Sequence, residues 1–193
     1  MSTKDDILIA ARAAFDRGGL EGLSLREVAR DVGITPMAIY RHFANKEALV
    51  DAIVLDGLAA WSERATKIPR GKPLAWLENI GECYLDFALK EPRRFEAAFL
   101  LHSRVARRYP DDFIAGRSPA GVIQLQVIEE ALARGTLAGA SAIEILVIIA
   151  GLSQGLVTLY RAGRIAGGEA GFRTLYRRAM KRCVESFFRE NAK

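Results

Sequence analysis

The chain is poor in the residues that hold metals or staple small folds. It has 193 residues but only two cysteines and two histidines. Cys83 and Cys183 stand far apart and form no CxxC pair, so neither a disulfide framework nor a structural zinc site is expected. Reduced thiols, no metal and no cofactor are the expectation. Six prolines and no Ser/Gly/Pro-rich tract leave little room for disorder away from the ends. Long apolar runs are missing too. The longest uncharged run, Ile145 to Tyr160, has 16 residues and includes Ser153, Gln154 and two glycines. That is short for a membrane span; it reads as a helix buried on nearly all sides, with no membrane partner. The opening "MSTKDDILIAARAAF" carries Asp5 and Asp6 and lacks the apolar core of a secretory signal, so a cytoplasmic protein is expected.

The charge is uneven rather than extreme. The net charge is +5, which suits an anionic partner, but its location matters more than its sum. From Met1 to Glu47 seven Lys/Arg face seven Asp/Glu. The first quarter is neutral, and the excess lies later.

Apolar residues recur at helical spacing almost throughout, and glycines and prolines fall where helices should end. Helices are expected near 3–17, 24–33, 35–44, 45–67, 73–90, 92–107, 119–134, 140–163 and 169–190. Nine helices and no sheet make an all-α fold. "SLRE" reads as a capping box between Ser24 and Glu27. Thr35 and Pro36 read as an N-cap and first helical residue, and Asn45 as the cap of the fourth helix. The segment 1–47 forms one domain and 48–193 a larger second one.

"SLREVARDVGITPMAIYRHF" has helix-turn-helix spacing. Ala29 is small where two helices meet, Gly33 suits a left-handed turn, and Val28, Val32, Ile34, Ile39 and Phe43 supply a shared core with Phe15 and Leu23. At about 100° per residue, Ile39 and Phe43 of the third helix fall together and face inward. Met37 and Arg41 share one outer face, Ala38 and His42 another, and Tyr40 lies on the shoulder. In a DNA-binding protein such a second helix enters the major groove, although a capped helix pair with an aromatic end also occurs as plain packing in many helical proteins. Small apolar groups suit thymine methyls and Arg suits guanine. Tyr, His and Lys suit phosphates. Thr35 to Lys46 holds Arg41 and Lys46 and no acid.

The stretch "VGITPMAIYRHFANKEALV" resembles the "G-V-S-x-x-x-(L/I)-Y-x-H-F-x-x-K-E-x-L" signature of the TetR family of transcriptional regulators, and the likeness extends over about Asp5 to Ile53. It implies a homeodomain-like three-helix head and a helical ligand-binding and dimerisation domain. It further implies a homodimer on palindromic double-stranded operator DNA, most simply a repressor released by a small-molecule effector. By matching position, Arg26, Thr35, Pro36, Met37, Ala38, Tyr40, His42 and Lys46 are the implied DNA contacts. Tyr40, His42 and Lys46 hold backbone, while Arg26, Met37 and Ala38 lie nearest bases. Arg41 occupies a position that varies in the family, and its role is left open. The fourth helix links head to ligand domain.

Elsewhere the residues are less specific. Trp61, Trp76, Tyr84, Phe87, Phe95, Phe99, His102 and Gln154 are candidates for lining an apolar ligand cavity. Ile149, Leu152, Gly155, Tyr176, Met180 and Phe187, on the last two helices, are candidates for a dimer interface. The bases of the last helix, Arg173, Arg177, Arg178, Lys181 and Arg182, read as a solvated face. No catalytic triad, carboxylate pair or phosphate-cradling loop stands out, so no enzyme is expected. An all-helical enzyme and an interaction module without DNA binding are the alternatives.

Overall fold

In the computed structural model, residues 2–188 are described, and among them lie ten α-helices and no strand, with one isolated bridge between Leu137 and Phe188. The helices are α1 Thr3–Gly18, α2 Leu25–Val32, α3 Pro36–Ile39, α4 Lys46–Thr66, α5 Pro73–Lys90, α6 Pro92–Phe99, α7 Asp111–Ile114, α8 Pro119–Ala133, α9 Ala142–Arg161 and α10 Gly168–Glu185. The all-α expectation holds, with one helix more than the nine foreseen. The addition is α7, in a stretch expected to be loop. Its Asp112 carboxylate accepts from the Arg108 amide at 2.7 Å and from Arg117 Nε at 2.5 Å, which folds the segment into a turn of helix. The last expected helix, 169–190, ends earlier, at Glu185 with Ser186 as its C-cap, and residues 189 and 190 of that range lie outside the described residues.

Two other helices are shorter than their patterns suggest. α3 stops at Ile39 instead of Phe43, because the amides of Arg41 and His42 bond back three residues, to Ala38 at 3.3 Å and Ile39 at 2.8 Å. That tightens the chain into a 3₁₀-like turn. α6 stops at Phe99 instead of 107, where the Leu100 and Leu101 amides both turn back to the Glu96 carbonyl. The expected Ser24–Glu27 capping box does not form: Ser24 is the N-cap of α2 but its side chain makes no capping bond. Complete boxes occur instead at Ser2–Asp5 and Ser141–Glu144.

The chain divides into two compact units, Met1–Ala60 with Glu91–Ala106, and Trp61–Lys90 with Arg107–Lys193. The first therefore contains the whole of 1–47 together with most of α4 and the α6 segment. Its core is built from Ile7, Ala11, Ala14 and Phe15 of α1, Leu23, Val28 and Ala29 around α2, Ile39 and Phe43 around α3, Leu49, Val50, Ile53 and Val54 of α4, and Ala97 of α6. Gly57 lets α6 lie directly on α4, since a Cβ there would sit 2.9 Å from both Ala98 N and Arg94 O.

The second unit packs α5, α8, α9 and α10 together, with α7 on α8. Tyr176 is buried, and its hydroxyl donates to the Gly81 carbonyl at 3.1 Å and is partnered by Ser153 Oγ. The Tyr160 and Phe172 rings stack at 4.2 Å. Not all of the α10 bases are merely solvated. Arg173 bridges Asp86 (2.7 Å) and Glu169 (2.8 Å), and Arg177 grips Glu82 through two bonds, tying α10 to α5.

The reading of α9 as buried on nearly all sides needs correction. Ile145, Leu146, Ile149, Ser153 and Val157 face inward, while Val147, Ile148, Gly151, Gly155 and Leu159 are exposed. This 20-residue helix contains an 18-residue stretch of mean hydropathy 2.0, 28% of it buried, and is by length and composition alone enough to cross a membrane. Its inward face is nevertheless part of a packed unit.

The Gly57 contact yields a test. Gly57→Ala should lower stability by about 1–3 kcal/mol, because backbone on the facing helix must move to admit one methyl group. Thermal denaturation checks this.

Candidate nucleic-acid interface

The helix-turn-helix is held from beneath. Gly33 adopts φ 76°, ψ 29°, a left-handed conformation that closes α2 and redirects the chain into α3. Thr35 then caps α3, its Oγ1 accepting from the Ala38 amide at 3.2 Å, with Pro36 in the first turn. Asn45 Oδ1 accepts from the Ala48 amide at 2.8 Å and starts α4. Ile39 and Phe43 are buried, and Lys4 Nζ lies 5.7 Å from the Phe43 ring centroid.

This anchoring presents the outer residues. Met37 is 74% exposed and Tyr40 50% exposed, unusual for side chains of that size. Arg26, Thr35, Pro36, Arg41 and His42 are exposed, and Ala38 is half-buried. Lys46 is half-buried, with its ammonium donating to the Leu20 carbonyl at 3.1 Å.

The neutral head hides an uneven distribution of partners. Arg17 and Arg30 both pair with Asp31, at 3.4 and 3.8 Å, and Arg12 pairs with Asp56 at 3.2 Å. Among the described residues Arg26 and Arg41 have no ion-pair partner. The internal pairs cancel charge within the head and leave two guanidiniums uncommitted on its surface.

Sequence reasoning missed what fixes this head. Asp56, on α4, accepts from Arg12 of α1 and from Arg94 of α6 at 3.3 Å, and Arg94 also pairs with Glu91 at 3.5 Å. One turn or so earlier, Asp51 accepts from Ser103 at 2.6 Å and from Arg104 at 2.9 Å. The Ser103 hydroxyl, then Arg104, hold the Asp51 carboxyl below its ordinary range despite the opposing effect of burial. Its stabilising effect is present above the ordinary carboxylate pKa and lost as pH falls through the lowered value. These partners lie 38 to 53 residues apart in sequence, a distance that no local pattern spans.

The other candidate residues separate. Phe95, Phe99 and His102 belong to the first unit, and Trp61, Trp76, Tyr84, Phe87 and Gln154 to the second. Phe95 is buried against Phe99, centroids 5.1 Å apart. His102, a candidate for lining an apolar cavity, is exposed, because α6 has already ended. In the second unit Trp61 meets Tyr84 edge-on at 5.4 Å and stacks on Phe87 at 6.2 Å. Trp76 is 1% exposed, and its indole N–H has no acceptor among the described residues. Burial pushes the thiols of Cys83 and Cys183 up, which disfavours the reactive thiolate. Of the dimer candidates, Ile149, Tyr176 and Met180 are buried in the chain's own core and are unavailable to a partner. Leu152 and Phe187 are half-buried and Gly155 is exposed. Among the described residues no His, Cys, Asp and Glu cluster suits a metal ion.

A capped helix-turn-helix that buries its hinge residues and presents an acid-free outer surface defines the class of helical DNA-binding regulators. Residues 7–53 match the family model for bacterial regulatory proteins of the tetR family, and residues 77–183 match that for the tetracyclin repressor-like C-terminal domain. The second match alone covers more than half of the chain, which therefore belongs to the tetR family. The chain is 26% identical over 99 residues to the HTH-type transcriptional regulator YobS of Bacillus subtilis (strain 168), covering 51% of this chain and 52% of that protein. It thus spans about half the length of that relative. It is 29% identical over 168 residues to the tetracycline repressor protein class A from transposon 1721 of Escherichia coli, covering 86% of this chain and 70% of that one. A solved structure from Rhodococcus sp. RHA1 superposes with a TM-score of 0.78 at 23% identity, covering 98% and 97% of the two chains, a likeness of fold.

The clamp on Asp56 is open to test. Its side chain is 20% exposed, so water screens part of the interaction. Asp56→Asn should cost about 1 kcal/mol at low ionic strength, and less in 1 M salt, where charge pairs are screened within about 3 Å. Denaturant titrations at the two salt concentrations would reveal the difference.

Proposed function

We propose that the protein is a ligand-responsive transcriptional repressor that binds palindromic operator DNA as a homodimer and is released by a small-molecule effector. One observation carries the reading: the exposed, acid-free surface from Thr35 to Lys46, set on the buried anchors Ile39 and Phe43. Tyr40, His42 and Lys46 hold phosphates, whereas Arg26, Met37 and Ala38 face base edges. A cytoplasmic location follows from a chromosomal partner. Family membership supports repression, as does a relative named as a tetracycline repressor.

Two features of the second unit support the remaining parts. An effector site among Trp61, Trp76, Tyr84, Phe87 and Gln154 suits an apolar molecule with a hydrogen-bond acceptor, since the Trp76 indole N–H is a buried donor lacking one, a condition that costs about 1–3 kcal/mol. The exposed apolar face of α9 suits a second copy of the chain. Val147, Ile148 and Leu159 flank Gly151 and Gly155, where nothing lies within 4 Å and a facing backbone has room. The effector then acts by population shift, favouring a dimer whose two heads no longer match major grooves one helical turn, about 34–36 Å, apart.

Two measurements bear on this. The purified protein should retard DNA from its own promoter region sequence-selectively, and Tyr40→Phe should weaken binding severalfold and about equally on every sequence, because a lost phosphate bond carries no sequence information. Absence of any selective shift would remove the repressor reading. For the dimer, Ile148→Arg should convert the protein to a monomer in sedimentation while leaving its helical circular dichroism unchanged.

A further inference from the structure

Resting on the DNA-binding reading above, the geometry points to Met37 and Arg41 as the residues that set operator sequence. We infer that Met37 packs on a thymine methyl and Arg41 donates to a neighbouring guanine within the same half-site.

The early end of α3 shifts Arg41 toward Ala38 and leaves both side chains on the outer surface. An unbroken α-helix would place Arg41 between the directions of Met37 and Ala38. The Arg41 amide bonds instead to the Ala38 carbonyl, three residues back. Residues three apart eclipse in such a turn, so Arg41 stands above Ala38, beside Met37 on the outer surface. Met37 is the most exposed large apolar side chain of the described residues, and water is a poor environment for it. The floor of the major groove offers an apolar partner in the thymine methyl, whereas the phosphate rim offers none. Arg41 is exposed on that same surface and lacks an acidic partner among the described residues, while Arg12, Arg17 and Arg30 of the same head are paired. Its planar fork matches the O6 and N7 acceptors of guanine. Tyr40 and His42, on either side of Arg41 in sequence, carry polar groups suited to the backbone. The reading surface of this turn therefore adds one guanidinium to the apolar contact of Met37, beside Arg26 of α2 and with Ala38 too small to obstruct either.

The experiment starts with selection from a random duplex library using the full-length wild-type protein. The selected half-site should contain a T and a G within a few base pairs. Duplexes with deoxyuridine for that thymine, or 7-deazaguanine for that guanine, should then bind wild type several-fold to tenfold more weakly. Met37→Ala should lose the preference for thymine over deoxyuridine. Arg41→Ala and Arg41→Lys should both lose the guanine preference, about tenfold in relative affinity, with Arg41→Lys keeping affinity for unselected DNA. Circular dichroism should show all three variants folded, since the side chains are exposed. If Arg41→Ala instead weakens every sequence equally and lowers the slope of log affinity against log salt by about one, Arg41 holds phosphate and the inference is overturned. It is overturned equally if either modified base binds wild type as well as the natural one. Failure of the wild type to select any common sequence would overturn the DNA-binding reading itself, and this inference with it.

Discussion

Everything the head can do depends on the burial of Ile39 and Phe43. α3 is a helix of four residues, and a helix so short does not persist in water by its own hydrogen bonds, because the first turn costs more conformational entropy than it returns. It exists because two apolar side chains, four residues apart, are held in a core contributed by α1, α2, α4 and α6. The outer residues inherit their positions from those anchors. Met37, Tyr40, Arg41 and His42 are presented to solvent at fixed angles because the chain between the anchors has no freedom left to turn them elsewhere. Recognition in this protein is in that sense a by-product of core packing on the opposite side of one turn.

A second constraint is charge. Seven bases and seven acids in the first 47 residues suggest a surface with no electrostatic appeal to DNA. Pairing changes the conclusion. Asp31 takes both Arg17 and Arg30, and Asp56 takes both Arg12 and Arg94. Each of those carboxylates holds helices or turns together and withdraws guanidiniums from the field seen by a ligand. What remains outside the pairs includes Arg26 and Arg41, on the helix-turn-helix. Net charge counts residues, whereas a ligand meets those whose counter-charges are not already nearby.

The head was legible in the sequence to an unusual degree, for a physical reason. Its turn glycine, its caps at Thr35 and Asn45, and its inward pair Ile39 and Phe43 are all local signals, set within a few residues of one another. What escaped is of two kinds. The end of α3 at Ile39 and of α6 at Phe99 depends on bonds back by three or more residues, which apolar periodicity does not encode. The attachment of α6 to the head depends on Gly57, Asp56 and Arg94, whose contacts cross some 40 residues of chain. The candidate ligand residues spread over two units for the same reason: aromatic side chains at helical spacing report an apolar face, and that face serves whichever neighbour the fold supplies. His102 was misread because the helix assumed to carry it had already ended.

α9 shows how far periodicity alone can mislead. Its inward stripe, Ile145, Leu146, Ile149 and Val157, and its outward stripe, Val147, Ile148 and Leu159, are both apolar, so the helix looks uniformly buried when only its sequence is read. Tyr176 and Met180 were assigned to an interface by the same logic and lie inside the chain. The distinction lies with Gly151 and Gly155. A helix interior that is fully enclosed has little use for two glycines four apart, since each costs about 1 kcal/mol relative to alanine and leaves a gap that a core would have to fill. Both glycines have open space beyond them. In the dimer proposed above, their cost is offset where the second copy's backbone enters the gap, and that requirement, rather than hydrophobicity itself, is what favours the outward stripe over the inward one in that proposal.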